Sequence, residues 1–181
     1  MHESVIMSGF GGQGILLMGQ LLCYAGMQEG LKVTCMPSYG PEMRGGTANC
    51  TVMLSSERVG SPVTHHPSSL VAMNKASLDK FEDAVKPGGL LVINSSLVER
   101  DSKRSDIKVF RVPANKIAEE TGTLQVTNMA ALGAYVGAKR IISLESVIAA
   151  LRRMIPEHRK ELLAINEEAL SKGAEVAARQ K

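Results

Sequence analysis

The stretch SGFGGQGI, Ser8 to Ile15, sets four glycines between an apolar run and an apolar helical pattern. Glycine reaches backbone conformations closed to other residues but weakens regular structure, so a glycine-dense junction implies a tight turn or a close backbone approach. Val5 to Ser8 reads as the end of a buried strand. A helix from about Gln13 carries Ile15, Leu16, Leu17, Leu21, Leu22 and Ala25, and Gly26 and Gly30 mark its exit. LKVTCMP, Leu31 to Pro37, reads as a second strand. Strand, glycine loop, helix and strand make a β-α-β unit with a parallel crossover.

A second glycine-rich segment follows, SYGPEMRGG from Ser38 to Gly46. TANCTVMLSS, Thr47 to Ser56, alternates as a strand does. The segment before it is too short for a helical crossover, so that strand is expected to run antiparallel. LVAMN (Leu70 to Asn74), LLVIN (Leu90 to Asn94) and IKVFRVP (Ile107 to Pro113) read as further strands. Asn74 is placed to cap a helix with Leu78, Phe81 and Val85 on one face, ended by PGG at Pro87 to Gly89. The remainder is helical: one stripe holds Met129, Leu132 and Val136, another follows the cap Ser143, and Pro156 suits the start of the last helix. Alternating strands and helices predict an α/β three-layer sandwich around a mostly parallel, mixed sheet, with a Rossmann-like start and a helical C-terminus. The 181 residues suit one domain, 1–181, with no internal repeat or linker.

The first glycine segment matches G-x-G-x-x-G through Gly9, Gly11 and Gly14. A nicotinamide site needs in addition an acidic residue ending the second strand, to hold the ribose hydroxyls. Cys35, Met36, Pro37 and Ser38 stand there instead, which argues against NAD, and no Gly-Lys-Ser/Thr occurs for a Walker loop. Amides at a helix start still favour an anion. The bland alternative is a tight turn only. Gln13 favours function, because a helix start has no structural need of that amide. Loops after parallel strands open onto one edge of the sheet, so Gly11 to Gly14 and Tyr39 to Gly46 are expected to converge. Their joint chemistry would be a ring, the Glu42 carboxylate, the Arg44 guanidinium and many bare amides. Arg44 could grip a phosphate or carboxylate in two prongs, or pair with Glu42 or a partner chain.

Net charge is +3 and scattered, and six Phe and Tyr with no Trp offer no base-stacking platform, so nucleic acid is excluded as a partner. Cys23, Cys35 and Cys50 are odd in number and far apart in sequence, matching no disulfide framework, zinc site or iron–sulfur cluster; a reducing cytoplasm is the natural setting. Ile15 to Met27 is apolar enough to imitate a signal peptide, but no Lys or Arg precedes it, and it is too short for a membrane span. His65 and His66 diverge on an extended chain and read as exposed loop, not as a metal pair. Met7, Met18, Met27 and Met36 read as core filling.

GFGGQGI together with YGPEMRGGTANC resembles the gamma-type subunit of 2-oxoacid:ferredoxin oxidoreductases. The likeness continues through SPVTHHPSSLVAMN, KPGGLLVINSSLV and TNMAALGAYVG, from about residue 4 to residue 140. EMRGGTANC with VGSP, Val59 to Pro62, looks most like the 2-oxoglutarate branch, with 2-oxoisovalerate and pyruvate as alternatives. The resemblance implies a complex that oxidatively decarboxylates a 2-oxoacid to an acyl-CoA and reduces ferredoxin. Thiamine diphosphate, Mg and iron–sulfur clusters would belong to partner chains, because this sequence lacks a Gly-Asp-Gly…Asn-Asn motif and clustered cysteines. Alpha, beta and, as a further candidate, delta subunits are the implied partners. A purely structural assembly subunit is a competing reading, and uncovered apolar surface makes a homodimer of the isolated chain a further expectation. The surface facing coenzyme A or a partner would include Gly11, Gly12, Gln13 and Gly14. To these the resemblance adds Tyr39, Gly40, Pro41, Glu42, Arg44, Gly45 and Gly46, with Asn128 from the fifth motif. Relatives carry an acidic residue just before LVAMN, where this chain has Ser69.

Overall fold

The computed structural model describes residues 1–40 and 46–180. Its strands are β1 (His2–Phe10), β2 (Lys32–Tyr39), β3 (Thr47–Ser55), β4 (Ser69–Ala72), β5 (Leu90–Asn94) and β6 (Lys108–Val112). Its helices are α1 (Ile15–Gln28), α2 (Lys75–Phe81), α3 (Ala114–Thr121), α4 (Thr127–Lys139), α5 (Leu144–Met154) and α6 (Leu163–Arg179). The strands form one sheet in the order β2-β3-β1-β4-β5-β6. β3 is antiparallel to both neighbours, while β1, β4, β5 and β6 pair in parallel. The mixed α/β sheet is the expected one, with a difference in its first unit. β2 runs parallel to β1 but does not pair with it, because β3 folds back between them. A nine-residue β3 matches β1 residue for residue from His2↔Ser55 to Phe10↔Thr47, which leaves β2 on the edge.

Alternation along the strands feeds two cores. Val5, Met7, Val52, Val71 and Val92 point toward α1 and α4, whereas Ile6, Leu70, Ala72, Leu91 and Ile93 pack with Leu78 of α2 and Val85. Asn74 caps α2 by accepting from the Ser77 amide at 2.9 Å, and Ser143 caps α5 by accepting from the Ser146 amide at 3.1 Å. Pro156 opens a 3-10 turn (Glu157–Leu162) rather than the last helix itself, which begins at Leu163. Met7 and Met18 are buried as expected, but Met27 and Met36 are exposed. Met36 lies on the face of edge strand β2 turned away from α1, and Met27 on the solvent side of α1, so no layer covers either. No described helix is long and apolar enough to cross a membrane.

Glu82 is the buried charge of the second core. It accepts from the Arg100 guanidinium at 2.9 Å and the Lys103 amide at 2.7 Å. Burial alone would raise its pKa, but the Arg100 and Ser102 side chains and the Lys103 amide together hold it below the ordinary 4.5. A lowered folded-state pKa gives stability that is present above the unfolded value and lost as pH falls through the folded one. Urea midpoints are therefore expected to fall as pH drops below about 4.5, and Glu82→Gln to flatten that part of the profile.

Candidate functional site

The carboxyl ends of β1 and β2 carry the two glycine segments, and backbone hydrogen bonding joins them. The Gly11 amide donates to the Gly46 carbonyl at 2.9 Å, and the Gly40 amide to the Thr47 carbonyl at 2.7 Å. The expected convergence is seen where Gly11 meets Gly46, while Gln13 and Gly14 contact Asn74 and Asn128. Pro41, Glu42, Arg44 and Gly45 lie outside the described residues. Tyr39 is 65% exposed, on the outer rim.

Gly12 and Gly14 are left-handed, at φ +95° and +71°, which explains two of the four glycines by conformation. Gly14 is needed twice, since a Cβ there would run into the Asn128 amide. Gly9 is explained by space: its missing Cβ would meet Gln13, Ile15 and Met73. Gln13 proves to have a structural task. Its Oε1 accepts from the Phe10 amide at 2.7 Å and from Asn74 Nδ2 at 3.2 Å, closing the loop and tying it to the end of β4. The helix start thus does use this amide structurally, contrary to the expectation from sequence.

Asn128 stands at the first turn of α4, 4% exposed. Its Nδ2 donates to the Gly14 carbonyl at 3.3 Å, while its Oδ1 is buried with no partner among the described residues. A buried acceptor left unpaired is rare and needs an explanation. It sits at a shallow cavity of about 140 Å³ lined by Gly12, Gln13, Asn115, Leu124, Gln125, Thr127 and Asn128. An apolar groove of about 230 Å³ adjoins through Gln125, with Leu17, Val126 and Leu151 in its wall and Arg159 at its edge.

Sequence reading missed the asparagines that brace this edge. Asn94 Nδ2 donates to the Met73 carbonyl at 3.3 Å and to Asn115 Oδ1 at 2.8 Å, and Asn94 Oδ1 accepts from the Ala114 amide at 3.2 Å. The signal was present: LVAMN and LLVIN each end an apolar run on an amide side chain. The described residues lining the small cavity are neutral, and the Thr127 hydroxyl among them donates to the Leu124 carbonyl at 2.8 Å. His65 and His66 are exposed, as expected, and no three His, Cys, Asp or Glu are grouped as metal ligands among the described residues.

The two left-handed glycines separate strain from collision. Gly12→Ala meets nothing within 4 Å among the described residues and is expected to cost the left-handed strain of about 1 kcal/mol. Gly14→Ala adds displacement of Asn128, and is expected to cost about 2–3 kcal/mol. Urea unfolding of the two variants checks the order.

A family model described as pyruvate ferredoxin/flavodoxin oxidoreductase matches residues 4–176. The ketoisovalerate oxidoreductase subunit VorA of Methanothermobacter marburgensis is 45% identical over 129 residues, 71% of this chain but 27% of that one. The chain therefore aligns with only about a quarter of that relative. The 2-oxoglutarate synthase subunit KorC of Methanocaldococcus jannaschii is 35% identical over 98% of this chain and 95% of its own. Among solved structures, the gamma subunit of a keto/oxoacid ferredoxin oxidoreductase from Geobacter sulfurreducens matches with TM-score 0.89 and 28% identity, over 100% of this chain and 99% of that one. The 2-oxoglutarate:ferredoxin oxidoreductase of Magnetococcus marinus, with 2-oxoglutarate, coenzyme A and succinyl-CoA bound, matches with TM-score 0.90 and 27% identity, over 98% of this chain and 31% of that one.

Proposed function

This chain belongs to the pyruvate ferredoxin/flavodoxin oxidoreductase family, and on that premise we propose that it is the gamma subunit of a 2-oxoacid:ferredoxin oxidoreductase preferring 2-oxoglutarate. The complex would decarboxylate the oxoacid, transfer the acyl group to coenzyme A and pass the electrons to ferredoxin. This chain's part is to hold coenzyme A, or the partner loop that presents it, at the glycine edge. The observation that carries the reading is the Gly11–Gly46 bond, which makes one surface of two segments far apart in sequence. The Gly12 and Gly14 amides, without a backbone acceptor among the described residues, suit phosphate or carbonyl oxygens, and Asn128 Oδ1 suits an N–H or O–H donor such as a pantetheine amide. Arg44, on the same segment, would supply the charge that the described residues of the cavity lack.

The preference for 2-oxoglutarate is supported by the KorC relative, which this chain matches almost end to end. The VorA relative, more identical over a shorter span, supports the 2-oxoisovalerate alternative. In this reading iron–sulfur clusters, thiamine diphosphate and its magnesium belong to alpha, beta and, as a further candidate, delta partners. Three free cysteines fit a reducing cytoplasm.

Anaerobic affinity purification of the tagged chain from its host tests the reading. The eluate is expected to contain thiamine- and cluster-bearing partners, and to reduce viologen in the presence of coenzyme A fastest with 2-oxoglutarate. A preference for 2-oxoisovalerate or pyruvate would move the chain to that branch, and an inert lone chain would remove the subunit assignment. Arg44→Ala is expected to leave assembly intact and lower turnover about tenfold or more, the size of one charge-assisted contact. Loss of assembly in that variant would favour a purely structural subunit.

A further inference from the structure

Far apart in sequence, the cysteines meet in the fold. Cys35 Sγ and Cys50 Sγ are 3.2 Å apart, and no disulfide joins them. Cys35 lies opposite Val52 and Cys50 opposite Pro37, so the two stand diagonally across β2 and β3 on the face turned to α1. Cys50 is buried against Gly19 of α1, where a Cβ would collide with its sulfur. One turn along α1, buried Cys23 donates its thiol to the Thr34 carbonyl at 3.6 Å. Cys35 itself is exposed. An exposed residue thus has a second, buried cysteine sulfur directly behind its own. The Cys23 and then the Cys50 thiol beside it hold Cys35 below the ordinary thiol range, whereas Cys50 is held above it by Cys35 and by burial.

We propose that Cys35 and Cys50 form a redox-active dithiol, with Cys35 the attacking and Cys50 the resolving sulfur, oxidised by low-molecular-weight disulfides. The Cys35 thiolate attacks one sulfur of the oxidant; its S–S bond breaks, a mixed disulfide forms and one thiolate leaves. Cys50 gives its proton to solvent and attacks Cys35 Sγ. The protein disulfide forms, the mixed disulfide breaks and the second thiolate leaves. Two electrons pass from the pair to the oxidant, and the two protons lost by the cysteines convert the leaving thiolates to thiols.

Diagonal cross-strand neighbours stand roughly 7–8 Å apart at Cα. That exceeds the usual span of a disulfide, so closure pulls β2 across β3 and gives a strained bond that is readily reduced. β2 can yield because it is an edge strand with one neighbour. It also leads directly into the second glycine segment. Any effect on turnover rests on the reading of the glycine edge; the thiol chemistry does not.

The full-length chain, equilibrated anaerobically in glutathione buffers from fully reduced to fully oxidised, then acid-quenched, alkylated and digested, tests the pair by mass spectrometry. The expected result is a Cys35–Cys50 linked peptide that rises with oxidised glutathione and vanishes with dithiothreitol, while Cys23 remains alkylated throughout. In the native reduced chain, alkylation of Cys35 is expected to be at least about tenfold faster than that of Cys23 or Cys50. In Cys50→Ser or Cys50→Ala the glutathione adduct should remain on Cys35, and in Cys35→Ser neither adduct nor link should form. Three free thiols across the whole series in folded wild-type protein would overturn the proposal. So would a link confined to Cys23 or to two different chains, or equal alkylation rates.

Discussion

Gly133→Val is expected to cost about 3 kcal/mol or more, a large share of the roughly 5–15 kcal/mol that keeps a domain folded. The reason is backbone contact. A Cβ at Gly133 of α4 would fall on the Leu170 carbonyl of α6, and a Cβ at Gly173 of α6 on the Ala130 carbonyl of α4. Nothing flexible stands in either place, so the helices themselves must separate. Gly137 meets Ala174 in the same seam. Separation would uncover Met129, Leu132 and Leu170, all fully buried. Gly173→Val should match Gly133→Val, and the double variant should add little to either, because one separation relieves both collisions. Urea unfolding measures all three. A cost near 1 kcal/mol, the ordinary helix-propensity range, would mean that α6 docks more loosely than described.

Much of this fold is legible in the sequence where one local rule decides. Asn74 and Ser143 stand where caps must, a glycine closes the apolar run of β1, and PGG follows α2 and introduces β5. The convergence of the glycine segments also follows, because carboxyl ends of parallel strands share an edge whichever strand lies between them. Pairing between strands is not local, so insertion of β3 between β1 and β2 escapes a reading along the chain. The same non-locality hides the contact of Cys35 with Cys50 across 15 positions. Met27 and Met36 mislead because apolar character alone does not say which side of an edge element a further layer will cover. Gln13 shows the converse error. Its amide has a structural partner in Asn74, 61 positions away, that no local pattern reveals.

Glu3→Ala is the second large effect, and it separates the two ends of the sheet. Glu3 is 2% exposed at the start of β1. Its carboxylate accepts from Ser69 Oγ at 2.5 Å and Tyr135 OH at 3.3 Å, and Lys139 Nζ pairs with it at 2.8 Å. Ser69 thus meets a carboxylate supplied from the neighbouring strand. Burial, and then the Glu3 charge, keep the Tyr135 phenol protonated and donating. Removing the carboxylate strands a buried hydroxyl pair and a partly buried ammonium, for an expected cost of about 3 kcal/mol. Glu3→Gln retains an acceptor for Ser69 and Tyr135 and loses only the ion pair, so about 1–2 kcal/mol is expected. Chemistry at the other edge should be indifferent. α4 carries Lys139 at its last turn and Asn128 at its first, so its 13 residues set the cluster roughly 18 Å from the glycine segments. At a temperature where Glu3→Ala remains folded, the complex should therefore show an unchanged KM for coenzyme A. A raised KM in the folded variant would show that α4 transmits strain along its length, and would make Asn128 a residue held in place from both ends.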